Sequence, residues 1–177
     1  MLIGVSLMVF LWAPRRAQGQ TLDPPRDWSL GAGIGIGSTG ALGAPYWLGT
    51  LSLERRLGRR LAVIVLAGGN YERIDETSLV LAQAGAGLRG FLTERGDLQP
   101  SLFVTALGQY THFGFGGDAG GGITQLGASV DASLSPRVDF RLGANLANAG
   151  YFSQENQGAL TFVGFGLGPQ AELRVKW

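Results

Sequence analysis

The chain has 177 residues, a length suited to one domain, with 14 Lys+Arg, 13 Asp+Glu and one His for a net charge of +1. That balance excludes a nucleic-acid binder working through a basic patch, and the lack of cysteine excludes disulfide scaffolds and Cys-ligated zinc. Glycine is 30 of the residues and charged residues only 15%, yet 45% are hydrophobic, which describes an ordered, charge-poor chain suited to a membrane.

Residues Leu2–Ala13 (LIGVSLMVFLWA) form an apolar run too short to span a bilayer as a helix, which needs ~20 residues. The run fits the hydrophobic region of a secretory signal, and Ala17-Gln18-Gly19 supplies small residues for cleavage. Arg15 and Arg16 follow the run instead of preceding it, so the start of the signal departs from the usual pattern. The expected organisation is a signal peptide over 1–19, a short periplasmic segment over 20–27 and a barrel over 28–177. No later stretch is long and apolar enough for a transmembrane helix. An exported chain of this kind is either soluble or a β-barrel, because only helices and closed barrels satisfy every backbone group in lipid.

From Trp28 onward a period of two replaces any helical spacing. Trp28, Leu30, Ala32, Ile34 and Ile36 alternate with Ser29 and a row of glycines. Trp47, Leu51, Leu53 and Leu57 oppose Thr50, Ser52, Glu54 and Arg56. The segment Leu61–Tyr71 begins apolar on both faces, so alternation leaves its facing open. Val80 to Leu88, Leu102 to Tyr110, Leu126 to Leu134, Val138 to Leu146 and Leu167 to Trp177 complete the set. Eight strands of roughly 9–13 residues are expected, the length that crosses a bilayer when tilted. Short turns near 58–60, 93–99 and 135–137 should alternate with longer loops near 38–45, 72–78, 112–122 and 148–158. The fold class is therefore all-β, an eight-stranded antiparallel up-and-down transmembrane barrel. A soluble barrel would carry many Lys and Glu on its polar face, whereas here that face is mainly Gly, Ser, Thr, Gln and Asn. Trp28, Trp47, Tyr71, Tyr110 and Trp177 fall at strand ends, where interfacial aromatic girdles form.

Threading these faces turns Glu54, Arg56, Arg89, Asp131, Asp139, Arg141, Glu172 and Arg174 inward near the short turns. Four acids and four bases make a neutral set that should pair, because an unpaired charge in a narrow lumen is costly. Arg141 should meet an acid among Glu172, Asp131 and Glu54, and Arg174 should have Asp139 within reach. The set reads as an internal plug or, in the rival reading, as the gate of a small pore.

The alternating strands and the ending Leu173-Arg174-Val175-Lys176-Trp177 resemble the small outer-membrane barrel family of OmpA, OmpX and Ail, as does Gln99–Tyr110 with its proline start. The resemblance covers about 27–177. It implies residence in the bacterial outer membrane and a C-terminal assembly signal, carried by Leu173, Val175 and Trp177, read by the barrel-assembly machinery. Outer-membrane lipid and lipopolysaccharide are the expected surroundings, with no cofactor and a monomeric state. With Trp177 ending the chain on a strand, no peptidoglycan-binding module is expected to follow.

Enzymatic chemistry finds little purchase. His112 is the only histidine, and the lipid A deacylases place a serine two residues after such a histidine, where this chain has Gly114. Gly116-Gly117 and Gly120-Gly121-Gly122 lack the Lys-Ser/Thr and helix of a phosphate loop. Asp75, Glu76 and Asp118 are too sparse for a calcium loop. The reading is a non-enzymatic barrel, structural or adhesin-like through its outer loops; the alternatives are a small channel and, third, an outer-leaflet lipid-modifying enzyme.

Overall fold

The computed structural model describes residues 27–38, 45–74, 77–94, 96–114, 117–154 and 158–177. The expected signal, 1–19, and the 20–27 segment apart from Asp27 lie outside the described residues. Eight strands follow in chain order: β1 (Trp28–Ser38), β2 (Pro45–Arg56), β3 (Leu61–Ile74), β4 (Thr77–Phe91), β5 (Leu98–Phe113), β6 (Asp118–Ser135), β7 (Val138–Gln154) and β8 (Gly158–Lys176). Each is antiparallel to the next, and β8 returns to pair with β1. The sheet is thus a closed barrel with no free edge.

The alternating pattern selects this closure. Leu30, Ile34, Leu51, Val65, Leu102, Leu126, Leu142, Val163 and Leu173 all point outward and are exposed. A continuous apolar surface of this kind is unfavourable in water and favourable in hydrocarbon. Acidic, basic and imidazole side chains on the outward face, among the described residues, sit only near strand ends: Arg55, Arg73, His112 and Asp118. Exposed Trp28 and Trp177 ring the end that carries the termini, here the terminal end. Trp47, Tyr71, Tyr110 and Tyr151 ring the opposite, distal end.

Two expectations need correction. β1 and β2 have the expected length, but β3 to β8 run from 14 to 19 residues, longer than the roughly 9–13 expected. Consequently the distal connections shrink to residues 39–44, 75–76, 114–117 and 155–157, no longer than the terminal-end connections 57–60, 92–97 and 136–137. Residues expected in loops, including His112, Gly120–Gly122 and Asn148–Tyr151, are strand residues whose backbone pairs across the sheet. Their polarity and glycine content imitated a loop because strands that outrun an apolar belt need no apolar side chains there.

The undecided strand β3 turns Ala62 and Ile64 into the lumen, both essentially buried, and Leu61 and Val65 outward. A bulge at Leu146 shifts the phase of β7. Before it odd residues such as Arg141 face inward; after it Phe152 is buried in the lumen and Tyr151 is exposed outside.

Close backbone approach explains particular glycines. A Cβ at Gly85 would run into the Ala106 carbonyl oxygen of β5, whereas a Cβ at Gly58 meets nothing within 4 Å. Gly85→Ala should therefore lower unfolding stability in detergent by about 1–3 kcal/mol through overpacking. Gly58→Ala should leave it nearly unchanged. Urea titrations followed by the gel shift between folded and unfolded barrel check the contrast.

Candidate functional site in the barrel lumen

The strand period places one face of every strand inside, and at the terminal half those inward positions are ionic. Arg141 on β7 is the hub. Its Nε donates to Asp131 Oδ1 at 2.5 Å and its Nη2 to Asp131 Oδ2 at 2.7 Å, a two-pronged fork onto the neighbouring strand β6. The same Nη2 donates to Glu54 Oε2 at 3.2 Å, and Nη1 donates to Glu172 Oε2 at 3.1 Å. All three acids expected to compete for Arg141 thus share it.

Two further guanidiniums complete the layer. Arg174 donates from Nη1 to Glu54 Oε1 at 3.1 Å and from Nη2 to the Ser29 hydroxyl on β1. Arg89 approaches Glu54 Oε2 with Nε at 3.1 Å and donates from Nη1 to Ser129 Oγ at 2.7 Å. Ser52 donates to the remaining oxygen of Glu172. The result is three carboxylates against three guanidiniums, with Glu54, Asp131, Arg89, Arg141 and Arg174 all buried. Glycine on β1 makes the room: a Cβ at Gly31 would occupy the place of the Glu172 carboxylate.

The other two expected members stand apart. Arg174 was expected to reach Asp139, its direct cross-strand partner, but Asp139 Oδ1 is held by Lys176 Nζ at 2.7 Å. The long Arg174 side chain reaches instead to Glu54, and the short aspartate takes the base one inward position nearer the terminal end. Lys176 is therefore a fifth inward base, absent from the four-and-four set. Arg56 meets no carboxylate within 4.0 Å among the described residues; its guanidinium lies 4.0 Å over the Phe91 ring and donates to Gln99 Oε1.

Above the ionic layer the lumen is mixed, then apolar. Polar Thr50, Gln83, Thr105, Gln125, Asn145 and Gln170 line a cavity of about 80 Å³ together with apolar Leu48, Ile64, Leu66 and Phe103. Asn145 Oδ1 borders it with no hydrogen-bond partner among the described residues, which suits a chamber that admits water. Nearer the distal end Leu48, Leu81, Leu107, Ile123 and Phe152 are buried inside. These inward apolar residues, with Phe103, escaped the sequence reading, which followed the polar members of each inward row. The detectable signal was strand β5, where Phe103 and Leu107 share a face with Ser101, Thr105 and Gln109.

At the distal rim His112 Nδ1 lies 2.7 Å from Asp118 Oδ1, both about half exposed on the outward face. Among the described residues no hydroxyl is hydrogen-bonded to His112, and Gly114 offers only its backbone N–H, donated to Ser78 O at 2.7 Å. A histidine oriented by an aspartate is present; a paired nucleophile is not. At the other end of the barrel Leu173, Val175 and Trp177 form an exposed outward row, and Trp177 exchanges backbone hydrogen bonds with Trp28.

Replacing Arg141 with alanine should remove the fork onto buried Asp131 and leave the three carboxylates facing only Arg89 and Arg174, an excess of buried negative charge that should cost about 3–5 kcal/mol of stability. Lys176→Ala, at the edge of the layer, should cost about 1 kcal/mol or less. Urea midpoints of the two refolded variants give the comparison.

No protein-family model and no curated protein sequence matches the chain. Solved structures do. Neisserial surface protein A aligns with 85% of this chain and 96% of its own, at 17% identity and a TM-score of 0.66. Ail, the attachment invasion locus protein of Yersinia pestis, covers 85% and 95% at 14% identity and a TM-score of 0.43. A loop-deletion mutant of OmpT, an outer membrane protein of Vibrio cholerae, covers 85% and 50% at 13% identity and a TM-score of 0.32. The likeness to the first shows that this chain has the fold of a small eight-stranded outer-membrane barrel.

Proposed function

We propose that the chain is a monomeric, non-enzymatic integral protein of the bacterial outer membrane, serving the envelope structurally or binding surface partners at its distal end. The observation that carries this reading is a closed barrel apolar outside and filled inside. Lipid solvates the outward row, while the ionic layer and the distal apolar cluster occupy the lumen at two levels. The fold shared with a Neisserial surface protein supports the same location.

In this reading residues 1–19 direct export, the terminal end lies in the periplasm and the distal end faces outward, surrounded by lipopolysaccharide. Leu173, Val175 and Trp177 act as the assembly signal on β8, the strand that closes the barrel against β1. Surface recognition would use strand walls as well as loops. Strands of 17 and 19 residues reach roughly 40–45 Å when tilted, against an apolar band of about 25 Å. A second reading, a small channel, is favoured by the cavity above the ionic layer, whose mixed wall includes hydroxyl and amide side chains.

Fractionation tests the location: the protein should float with outer membranes and migrate faster on gels before boiling than after. Recovery in the soluble periplasm would overturn it. Deleting Trp177 should reduce assembled barrel far more than Gln157→Ala, and equal levels would remove the assembly role. In planar bilayers the wild type should show no steady conductance; discrete openings abolished by blocking the chamber would replace the plug by the channel.

A further inference from the structure

The geometry points to a basic patch for the headgroup phosphates of anionic phospholipid on the flank of the β2–β3 turn, with Arg55 on its β1 side and Arg59 and Arg60 on its β4–β5 side. The inference rests on the membrane reading above, with the terminal end at the inner leaflet. Four of the six residues 55–60 are arginines. Arg56 is turned to the lumen mouth over Phe91, which leaves three guanidiniums outside.

These three are under-neutralised. Arg59 and Arg60 share a single carboxylate, Glu94, each at 3.5 Å, with their side chains 83% and 65% exposed. Such open pairs are weak and exchange readily with another anion. Arg55 has no carboxylate within 4.0 Å among the described residues, and its guanidinium lies 5.2 Å over the Trp28 ring. That stacking leaves the edge of the guanidinium, where its N–H donors lie, free to take a phosphate in a fork.

The surroundings match a lipid rather than a free ion. Leu57 and Leu61, both exposed, flank the same turn and offer an apolar wall for acyl chains. Trp28 and Trp177, tied by mutual backbone hydrogen bonds, mark the interfacial level at which a headgroup sits. The distal rim has no counterpart: Arg73 is the one outward base there among the described residues besides His112, which is engaged by Asp118. The occupant is a diacyl phospholipid with a net negative headgroup, of the phosphatidylglycerol type.

The test uses the full chain reconstituted in vesicles of equal phosphatidylglycerol and phosphatidylcholine, transferred to detergent, with retained lipid read by native mass spectrometry. An arginine near an anionic surface contributes about 1 kcal/mol, or about fivefold in affinity. Wild type should retain phosphatidylglycerol at least about fivefold over phosphatidylcholine, falling to near parity in R55Q/R59Q/R60Q. R137Q, at the β6–β7 turn, should keep the preference. Parity in wild type, or an unchanged preference in the triple variant, overturns the site. Raising salt during equilibration should erase the wild-type preference, so a preference indifferent to salt overturns it without any variant. A chain that does not enter vesicles at all overturns the membrane reading instead.

Discussion

Closing eight strands leaves a lumen wide enough for side chains and little more. A charge buried deep in that lumen must then find its counter-charge within the barrel, and the Arg141 fork onto Asp131 is where that condition is met most fully. Glu54 and Glu172 reach the same guanidinium from β2 and β8, strands that are not neighbours of one another. A contact of this kind does what backbone ladders cannot: it fixes the cross-section of the barrel rather than the spacing of adjacent strands.

The position of the ionic layer along the barrel has a physical sense. The β1–β8 seam pairs over only seven positions, Ser29 to Gly35, whereas β3 and β4 pair from Leu61 to Ile74. Arg174 spans that short seam, donating to Ser29 on β1 and to Glu54 on β2 beyond it. The side-chain network therefore reinforces closure where main-chain pairing is thinnest. The same crowding sets the glycine row of β1, since the Glu172 carboxylate lies where a Gly31 side chain would be.

Much of this was legible in the sequence because the period of two is a direct record of which face meets lipid. Leu102, Val104 and Ala106 or Val138, Phe140 and Leu142 announce their facing, and the inward ionic residues follow by elimination. Three things were not legible. Strand ends beyond the apolar belt lose the hydrophobic half of the alternation, so Asn148 and Gly150 looked like loop. The phase shift at Leu146 leaves no mark in composition, yet it decides that Phe152 rather than Tyr151 is inside. Partner choice among inward charges depends on side-chain reach in three dimensions, so Asp139 was assigned to its cross-strand neighbour Arg174 and instead holds Lys176.

The long walls and brief connections of the distal end also bear on how such a surface ages and is seen. A protease must draw several residues of extended chain into its cleft, and backbone already paired on both sides is withheld from it. At that end the described strands leave connections of six residues or fewer between them, and each of those strands pairs with a neighbour on either side. A binder directed at the distal end of the folded barrel would meet the flanks of paired strands, and its epitope would be assembled from adjacent strands instead of a continuous peptide.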